Sequence, residues 1–227
     1  MLKNIFIDLD DTILDFEKSE AEALRQTMHA YGLEVGDSTV ALFHTINAEG
    51  WKRLEQGLIT RNRLLTARFE RLFAEIGESV DCALFNETYK SLLARQVFFV
   101  DGALELLQTL HASYDLYLAS NGTASVQDGR IERAGIGKYF RRIFISQRIG
   151  HNKPAPEFFR ACFAEIDGFE KEQTVMIGDS LTSDILGANN AGIKAIWFNP
   201  KGDRLPLALN AMQVRSLDEI PDLLKTT

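Results

Sequence analysis

Ile5-Phe6-Ile7-Asp8-Leu9-Asp10-Asp11-Thr12 is the stretch that decides how this chain is read. An apolar run that ends in carboxylates is a buried strand delivering charge to its own carboxyl end. Residues two apart on a strand share a face, so Asp8 and Asp10 point to one side while Leu9 turns into the core. Two carboxylates that close repel each other unless a cation or a shared proton intervenes. A single Asp after a strand is an ordinary solvated turn, whereas this cluster is a candidate nucleophile site.

Further buried-strand signals lie near residues 115 to 119, 143 to 145, 174 to 178 and 194 to 198, separated by segments of helical periodicity. That alternation predicts an α/β fold, a parallel sheet covered on both faces. Ligands of such sheets sit at the carboxyl ends of the strands. Asp8, Ser120 and Asp179 each occupy such an end, and Lys153 follows another strand by a short polar loop.

The first two strands are separated by far more chain than a crossover helix requires. Residues 15 to 95 read as an all-helical insertion. Ala21, Leu24, Met28 and Tyr31 are spaced as one helix face, and Leu65, Phe69, Leu72 and Ile76 as another. Val40, Phe43, Asn47, Trp51 and Leu54 fall at steps of three and four, so an amide and an indole share an otherwise apolar face. Gly50 and Gly57 are expected to bend or break this element. A final helix is expected from Leu217 to Lys225.

The chain has 227 residues, enough for one well-buried core plus an insertion. Its formal net charge of -7 argues against a general affinity for nucleic acid or an anionic membrane, so any phosphate must be met by local positive charge. No apolar stretch approaches the ~20 residues that span a bilayer. The first strand starts almost at Met1, so no cleaved signal is expected. With only Cys82 and Cys162, neither a disulfide scaffold nor a zinc site is suggested, and cytoplasmic residence is the expectation.

Taken in order, Asp8-Leu9-Asp10-Asp11-Thr12, Ser120, Lys153 and Gly178-Asp179 with Asp184 resemble the four motifs of the haloacid dehalogenase superfamily. The resemblance covers nearly the whole chain. It implies a Rossmann-like, doubly wound catalytic core from residues 1–14 and 96–227, and a helical cap of the C1 type from residues 15–95 that closes over the crevice. It also implies a phosphate ester as substrate. Phosphate monoesters hydrolyse so slowly in water that an enzyme must supply a nucleophile, charge neutralisation and a proton. By resemblance, Asp8 attacks phosphorus and forms an aspartyl phosphate. Asp10 protonates the leaving alkoxide and then activates water, and its backbone carbonyl ligates the metal.

Mg²⁺ suits an all-oxygen site. Asp8, Asp10 and Asp179 are the expected ligands, with Asp184 and Ser180 ligating through water or orienting the others. Ser120 and the amides of Asn121 and Gly122 are expected to hold the phosphate with Lys153, whose charge also makes it a catalytic candidate. Each has an ordinary alternative in isolation: a helix cap for Ser120, a helix N-terminal carboxylate for Asp184, a solvated surface side chain for Lys153. Thr12 is expected to bond locally within the first loop.

Within the superfamily, Ser120-Asn121-Gly122-Thr123, Val126-Gln127, Arg130-Ile131, Ile145-Ser146, Lys153-Pro154 and Glu157-Phe158-Phe159, with the segment Asn47 to Gly57, resemble the house-cleaning pyrimidine 5′-nucleotidases. Gln147-Arg148 departs from that pattern and leaves the preferred nucleotide open. The implied substrate is a nucleoside monophosphate, with Phe16, Asn47 and Trp51 as candidate base contacts. The alternatives are a Trp51 packed in the cap core with Asn47 satisfied by backbone, and a core role for Phe16. A sugar phosphatase or β-phosphoglucomutase-like phosphomutase shares the same motifs, and a non-catalytic binding relative would have lost at least one. Asp10 disfavours haloacid dehalogenation. Phosphonate cleavage needs a cap lysine, and none of Lys18, Lys52 and Lys90 is evidently placed for it. A monomer or weak homodimer is expected.

Overall fold

Every residue of β1, Asn4–Ile7, is buried, which places this strand inside the sheet and not at its edge. The computed structural model describes residues 2–226. Side chains alternate as a strand requires. Ile5 and Ile7 enter one core layer with Leu116, Leu118, Val175 and Ile177, while Phe6 enters the opposite layer with Tyr117, Phe144 and Met176. Both faces being apolar, the strand is stable only between two layers of helix.

The remaining strands are β2 (Asp115–Ser120), β3 (Arg142–Ile145), β4 (Thr174–Gly178), β5 (Lys194–Phe198) and β6 (Met212–Val214). They form one parallel sheet in the order β3-β2-β1-β4-β5-β6. Asn4 is level with Asp115 on one side and Thr174 on the other, so β2, β1 and β4 start together, β2 running on to Ser120 and β4 to Gly178. The chain leaves β1 in one direction for β2 and β3 and returns to its other side with β4. A crevice opens at such a reversal. The sheet is the doubly wound one the sequence predicts, with one strand more. The short β6 carries little pattern of its own and is defined by its pairing, Phe198 level with Val214.

Between β1 and β2 lie α1 (Phe16–Ala30), α2 (Asp37–Glu55), α3 (Arg61–Ile76) and α4 (Cys82–Leu93), then α5 (Ala103–His111). The chain starts α1, α3 and α4 with side chains that accept from first-turn amides: Asp15 from Lys18, Thr60 from Arg63, and Asp81 from Ala83 and Leu84. Gly57, with φ of 70°, lies just past the end of α2. Gly50 does not break the helix; it lets Leu64 of α3 approach closely.

The inserted helices share a core of their own. Phe69 is fully buried and its ring lies 4.9 to 5.2 Å from those of Phe43, Phe85 and Tyr89. Val126, from α6 (Ala124–Ala134) beyond β2, joins that core and so ties the insertion to the sheet. Among the described residues, further short helices follow: α7 (Ser146–Ile149), α8 (Pro156–Ala164), α9 (Leu186–Ala191) and α10 (Ile220–Lys225). Among the described residues no helix is long and apolar enough to cross a membrane.

Because the aromatic cluster is the insertion's main apolar contact, Phe69→Ala is expected to lower stability by about 3 to 5 kcal/mol. Urea unfolding followed by circular dichroism checks this, and a loss under about 1 kcal/mol would show that the cluster does not hold the insertion together.

Candidate active site

Adjacent parallel strands bring Asp8, just past β1, beside Asp179, just past β4. The Asp8 amide donates to the Ile177 carbonyl at 2.9 Å, continuing the ladder one residue beyond the strand. After Asp179 the chain makes a π-helical turn, Leu181–Ile185, that swings Asp184 back under the strand end. Its carboxylate accepts from the Ser180 amide at 3.1 Å. Gly178 permits the approach: a Cβ there would lie 2.3 Å from Asp184 Oδ2. Asp184 is fully buried, so its role as a solvated helix-terminal charge falls away.

Lys153 is buried as well and is no surface lysine. Its Nζ donates to Asp8 Oδ1 at 2.7 Å, Asp184 Oδ1 at 2.6 Å and the Ala119 carbonyl at 2.6 Å. Burial works against its charge, but Asp184 and Asp8 outweigh it and hold the ammonium above its usual range. Burial, then the neighbouring Asp184, pushes the carboxyls of Asp8 and Asp179 well above theirs. Carboxylate oxygens of Asp8, Asp179 and Asp184 come within 4.8 Å of one another. One ammonium balances only part of that charge, and an all-oxygen cluster with excess negative charge fits a hard divalent cation.

Asp179 is fixed from two distant places. Thr12 donates its hydroxyl to Asp179 Oδ1 at 3.1 Å, across to the end of β4 and not within its own loop as expected, and Trp197 of β5 donates to the Asp179 carbonyl at 2.8 Å. Asp11 adopts a left-handed backbone, φ of 57°, and accepts from the Phe16 amide at 2.8 Å. Burial, then the nearby Asp10, raises its carboxyl to about 6.

Asp10 points to the other wall of the crevice. One of its oxygens is bound by the Arg130 guanidinium, and the other accepts from Gln127 Nε2 at 2.6 Å. The same Gln127 nitrogen donates to Ser120 Oγ at 2.8 Å, and the Gly122 amide turns to that hydroxyl at 3.0 Å. Ser120 does not cap α6; Thr123 occupies that position. Asn121 clamps the lysine loop, its side chain donating to the Lys153 carbonyl at 2.9 Å and accepting from the Lys153 amide at 2.8 Å.

The crevice opens into a cavity of about 360 Å³ roofed by the insertion, with Asp8, Asp10, Asn121, Gly122, Lys153 and Asp179 at its floor. One face of α2, His44, Asn47, Trp51, Lys52 and Glu55, lines it, together with Phe16 and Arg68. Trp51 is half-buried with the Arg61 guanidinium 5.2 Å over its ring. Asn47 is held by side chains: it donates to Glu20 at 2.5 Å and accepts from Arg68 at 2.9 Å. His44 shares Glu20 at 2.8 Å, and that contact raises its imidazole. Lys52 and Lys90 also line the cavity, Lys90 paired with Glu87 at 2.8 Å, while Lys18 is paired with Asp15 at 2.7 Å.

Two further contacts close roof to floor. Glu55 accepts from Thr182 at 2.8 Å; its carboxyl is raised by burial, against the effect of that bond. Arg61 donates to the Asn121 carbonyl at 2.9 Å and to Ser146 Oγ and Asn152 Oδ1 at 2.7 Å, and burial lowers it to about 10. Sequence reasoning gave no role to Arg130, Gln127, Arg61, Arg68, Glu20 or His44. Gln127 and Arg130 had a signal, one helical turn apart just after the Ser120 loop; His44 sits one position from the apolar face that was read.

Comparison with known proteins identifies the family. Residues 2–192 match the family model described as haloacid dehalogenase-like hydrolase. Pyrimidine 5′-nucleotidase PynA of Streptococcus pneumoniae is 40% identical over 87% of this chain and 84% of its own. Pyrimidine 5′-nucleotidase YjjG of Escherichia coli is 27% identical over 97% and 96%. The crystal structure of HAD-hydrolase YfnB of Bacillus subtilis, bound to magnesium and described as revealing interdomain movement, superposes with a TM-score of 0.93 at 34% identity and covers 98% of both chains.

The contact between Gly178 and Asp184 makes a prediction about coupling. Gly178→Ala should cost about 1 to 3 kcal/mol, because the new methyl group and the carboxylate cannot share the space. The same substitution in an Asp184→Ala background should cost at least about 0.5 kcal/mol less. Equal costs in the two backgrounds, by urea denaturation, would contradict the packing described.

Proposed function

The chain belongs to the haloacid dehalogenase-like hydrolase family, and on that footing we propose that it is a Mg²⁺-dependent phosphomonoester hydrolase, a pyrimidine 5′-nucleotidase acting through an aspartyl phosphate on Asp8. The observation that carries the reading is a buried carboxylate, Asp8, with Lys153 bonded to it and Asp179 and Asp184 beside it, at the floor of a cavity whose other wall holds a second carboxylate, Asp10.

In the first step an Asp8 oxygen forms a bond to phosphorus as the bond to the leaving alkoxide breaks, and Asp10 gives that alkoxide its proton. In the second, a water attacks phosphorus, Asp10 takes the water's proton, and Asp8 is released with inorganic phosphate. Lys153 offsets charge on the transferring group. Asp8, Asp179, Asp184 and the Asp10 carbonyl would hold Mg²⁺, which when bound supplies neutralisation for the phosphate oxygens. Ser120, Asn121 and Gly122 line the phosphate's place; the Gly122 amide is the donor that must turn from Ser120 Oγ to an incoming oxygen.

Residues 15–95 act as a cap on the core formed by 1–14 and 96–227, and the cap chooses the substrate. Trp51 and Phe16 offer aromatic faces in a cavity large enough for a base, and the polar end formed by His44, Glu20, Asn47 and Arg68 gives a base edge hydrogen-bonding partners. The nucleotidase relatives support the choice of base over sugar alone. The working unit is proposed to be a monomer or weak homodimer.

A screen of phosphate esters with Mg²⁺, reading released phosphate, tests the reading. Pyrimidine nucleoside monophosphates are expected to be cleaved in preference to sugar phosphates, chelation is expected to abolish release, and activity that survives rigorous chelation would reject the metal assignment. Trp51→Ala should lower kcat/KM for uridine 5′-monophosphate about 5- to 150-fold, from the ~1 to 3 kcal/mol of stacking on an aromatic face, and leave p-nitrophenyl phosphate nearly unchanged. Equal losses on both would make Trp51 a packing residue.

A further inference from the structure

Arg130 is the largest fully buried side chain of the protein among the described residues, and every nitrogen of its guanidinium is engaged at the junction of core and insertion. NH1 binds Asp10 Oδ1 and, at 3.2 Å, Gln127 Oε1. NH2 donates to Ser19 Oγ of α1 at 3.3 Å, and Nε donates to the Gln96 carbonyl at 3.4 Å. Ser19 is just inside the chain's entry to the insertion and Gln96 is on its exit. The Phe16 ring packs 5.6 Å from the same guanidinium.

Those two crossings are also bonded to each other. The Asp15 amide donates to the Phe98 carbonyl at 2.8 Å, the Val100 amide donates to the Ile13 carbonyl at 3.0 Å, and Leu14 pairs with Phe99. Helix α6 lies hard against the exit: a Cβ at Gly129 would be 2.9 Å from the Ala94 carbonyl oxygen. A buried guanidinium that bonds one carboxylate and one group from each crossing cannot keep all these contacts if the crossings shift relative to α6. Asp10, by contrast, has its two oxygens on two residues of α6, Arg130 and Gln127, with Gln127 also on Ser120.

We propose that Arg130 is a positioning residue that sets the Asp10 carboxylate for proton transfer through contacts made with both crossings between core and cap, so that the seating of the cap fixes the acid. The proposal rests on the reading of Asp10 as the proton donor. It gives the helix after the phosphate loop a task beyond packing: Gln127 orients one oxygen of Asp10 against the phosphate-binding hydroxyl, and Arg130 orients the other against the hinge.

Rapid-quench measurement of phosphoenzyme formation with uridine 5′-monophosphate and with p-nitrophenyl phosphate tests it, because a phenolate departs without needing a proton. Arg130→Gln should slow phosphorylation by the nucleotide about 10- to 100-fold, part of the 10²–10⁴ that general acid catalysis contributes, with KM and the aryl phosphate reaction changed by less than about threefold. Ser19→Ala, which removes one crossing contact and leaves Arg130 on Asp10, should give a smaller loss of the same selective kind. A folded Arg130→Gln protein with unchanged nucleotide phosphorylation, or with equal losses on both substrates, overturns the proposal. If Arg130→Gln does not fold, Ser19→Ala decides, and an unselective effect there overturns it. Asp10→Asn run alongside separates the two levels: a selective loss in Asp10→Asn without one in the Arg130 and Ser19 variants rejects the positioning role alone, and none in Asp10→Asn rejects the reading of Asp10 itself.

Discussion

The buried ammonium of Lys153 is the interaction on which the rest of the site depends. It joins three pieces of chain that are far apart in sequence: the end of β1 through Asp8, the end of β2 through the Ala119 carbonyl, and the turn after β4 through Asp184. Removing one partner of such a buried pair leaves an uncompensated charge and costs about 3 to 5 kcal/mol, so these elements are held in mutual register by electrostatics as well as by the sheet. Lys153 in turn is placed by Asn121, whose amide bonds both the nitrogen and the carbonyl of the lysine's backbone. The loop after β2 and the lysine loop are therefore tied together.

Around that centre the remaining carboxylates divide by environment. Asp8, Asp179 and Asp184 crowd together with too little positive charge, the condition for taking a cation, whereas Asp10 has an arginine and an amide of its own. Asp8 and Asp10, expected to share a strand face, both lie just past the end of β1, where the chain leaves the extended ladder, and so face different partners. The division is made by the two sides of the sheet: β4 supplies the acid partners and α6 the basic and amide ones.

Much of this was legible in the sequence for a simple reason. Most of the candidate site residues sit at strand ends, and short apolar strands ending in carboxylates, a hydroxyl or glycine announce themselves without knowledge of the tertiary structure. Asp8, Ser120 and Asp179 are such positions, with Lys153 in a loop beyond β3; the structure places Asp8, Lys153 and Asp179 on one crevice and buries Ser120 just behind it. What was not legible depends on contacts between distant segments. Thr12 reads as a loop residue until Asp179 is brought beside it, and β6 reads as loop until β5 pairs with it. Arg130 stands in the sequence only as part of a resemblance, and its partners Asp10, Ser19 and Gln96 come from segments far from α6. Asn47 was visible as an amide on an apolar face, but its partners, Glu20 and Arg68, come from α1 and α3, and no spacing within α2 predicts them. Gly50, expected to interrupt α2, instead accommodates a neighbouring leucine within a continuous helix.

The central claim is that Asp8 itself takes the phosphoryl group. The most direct measurement is acid quench of the wild-type protein during turnover of uridine 5′-monophosphate with Mg²⁺, followed by peptide mass spectrometry. The account predicts that the peptide containing Asp8 gains the mass of one phosphoryl group, at a rate no slower than turnover. Phosphate released steadily with no phosphoryl group on that peptide at any quench time would contradict it and point to direct attack by water.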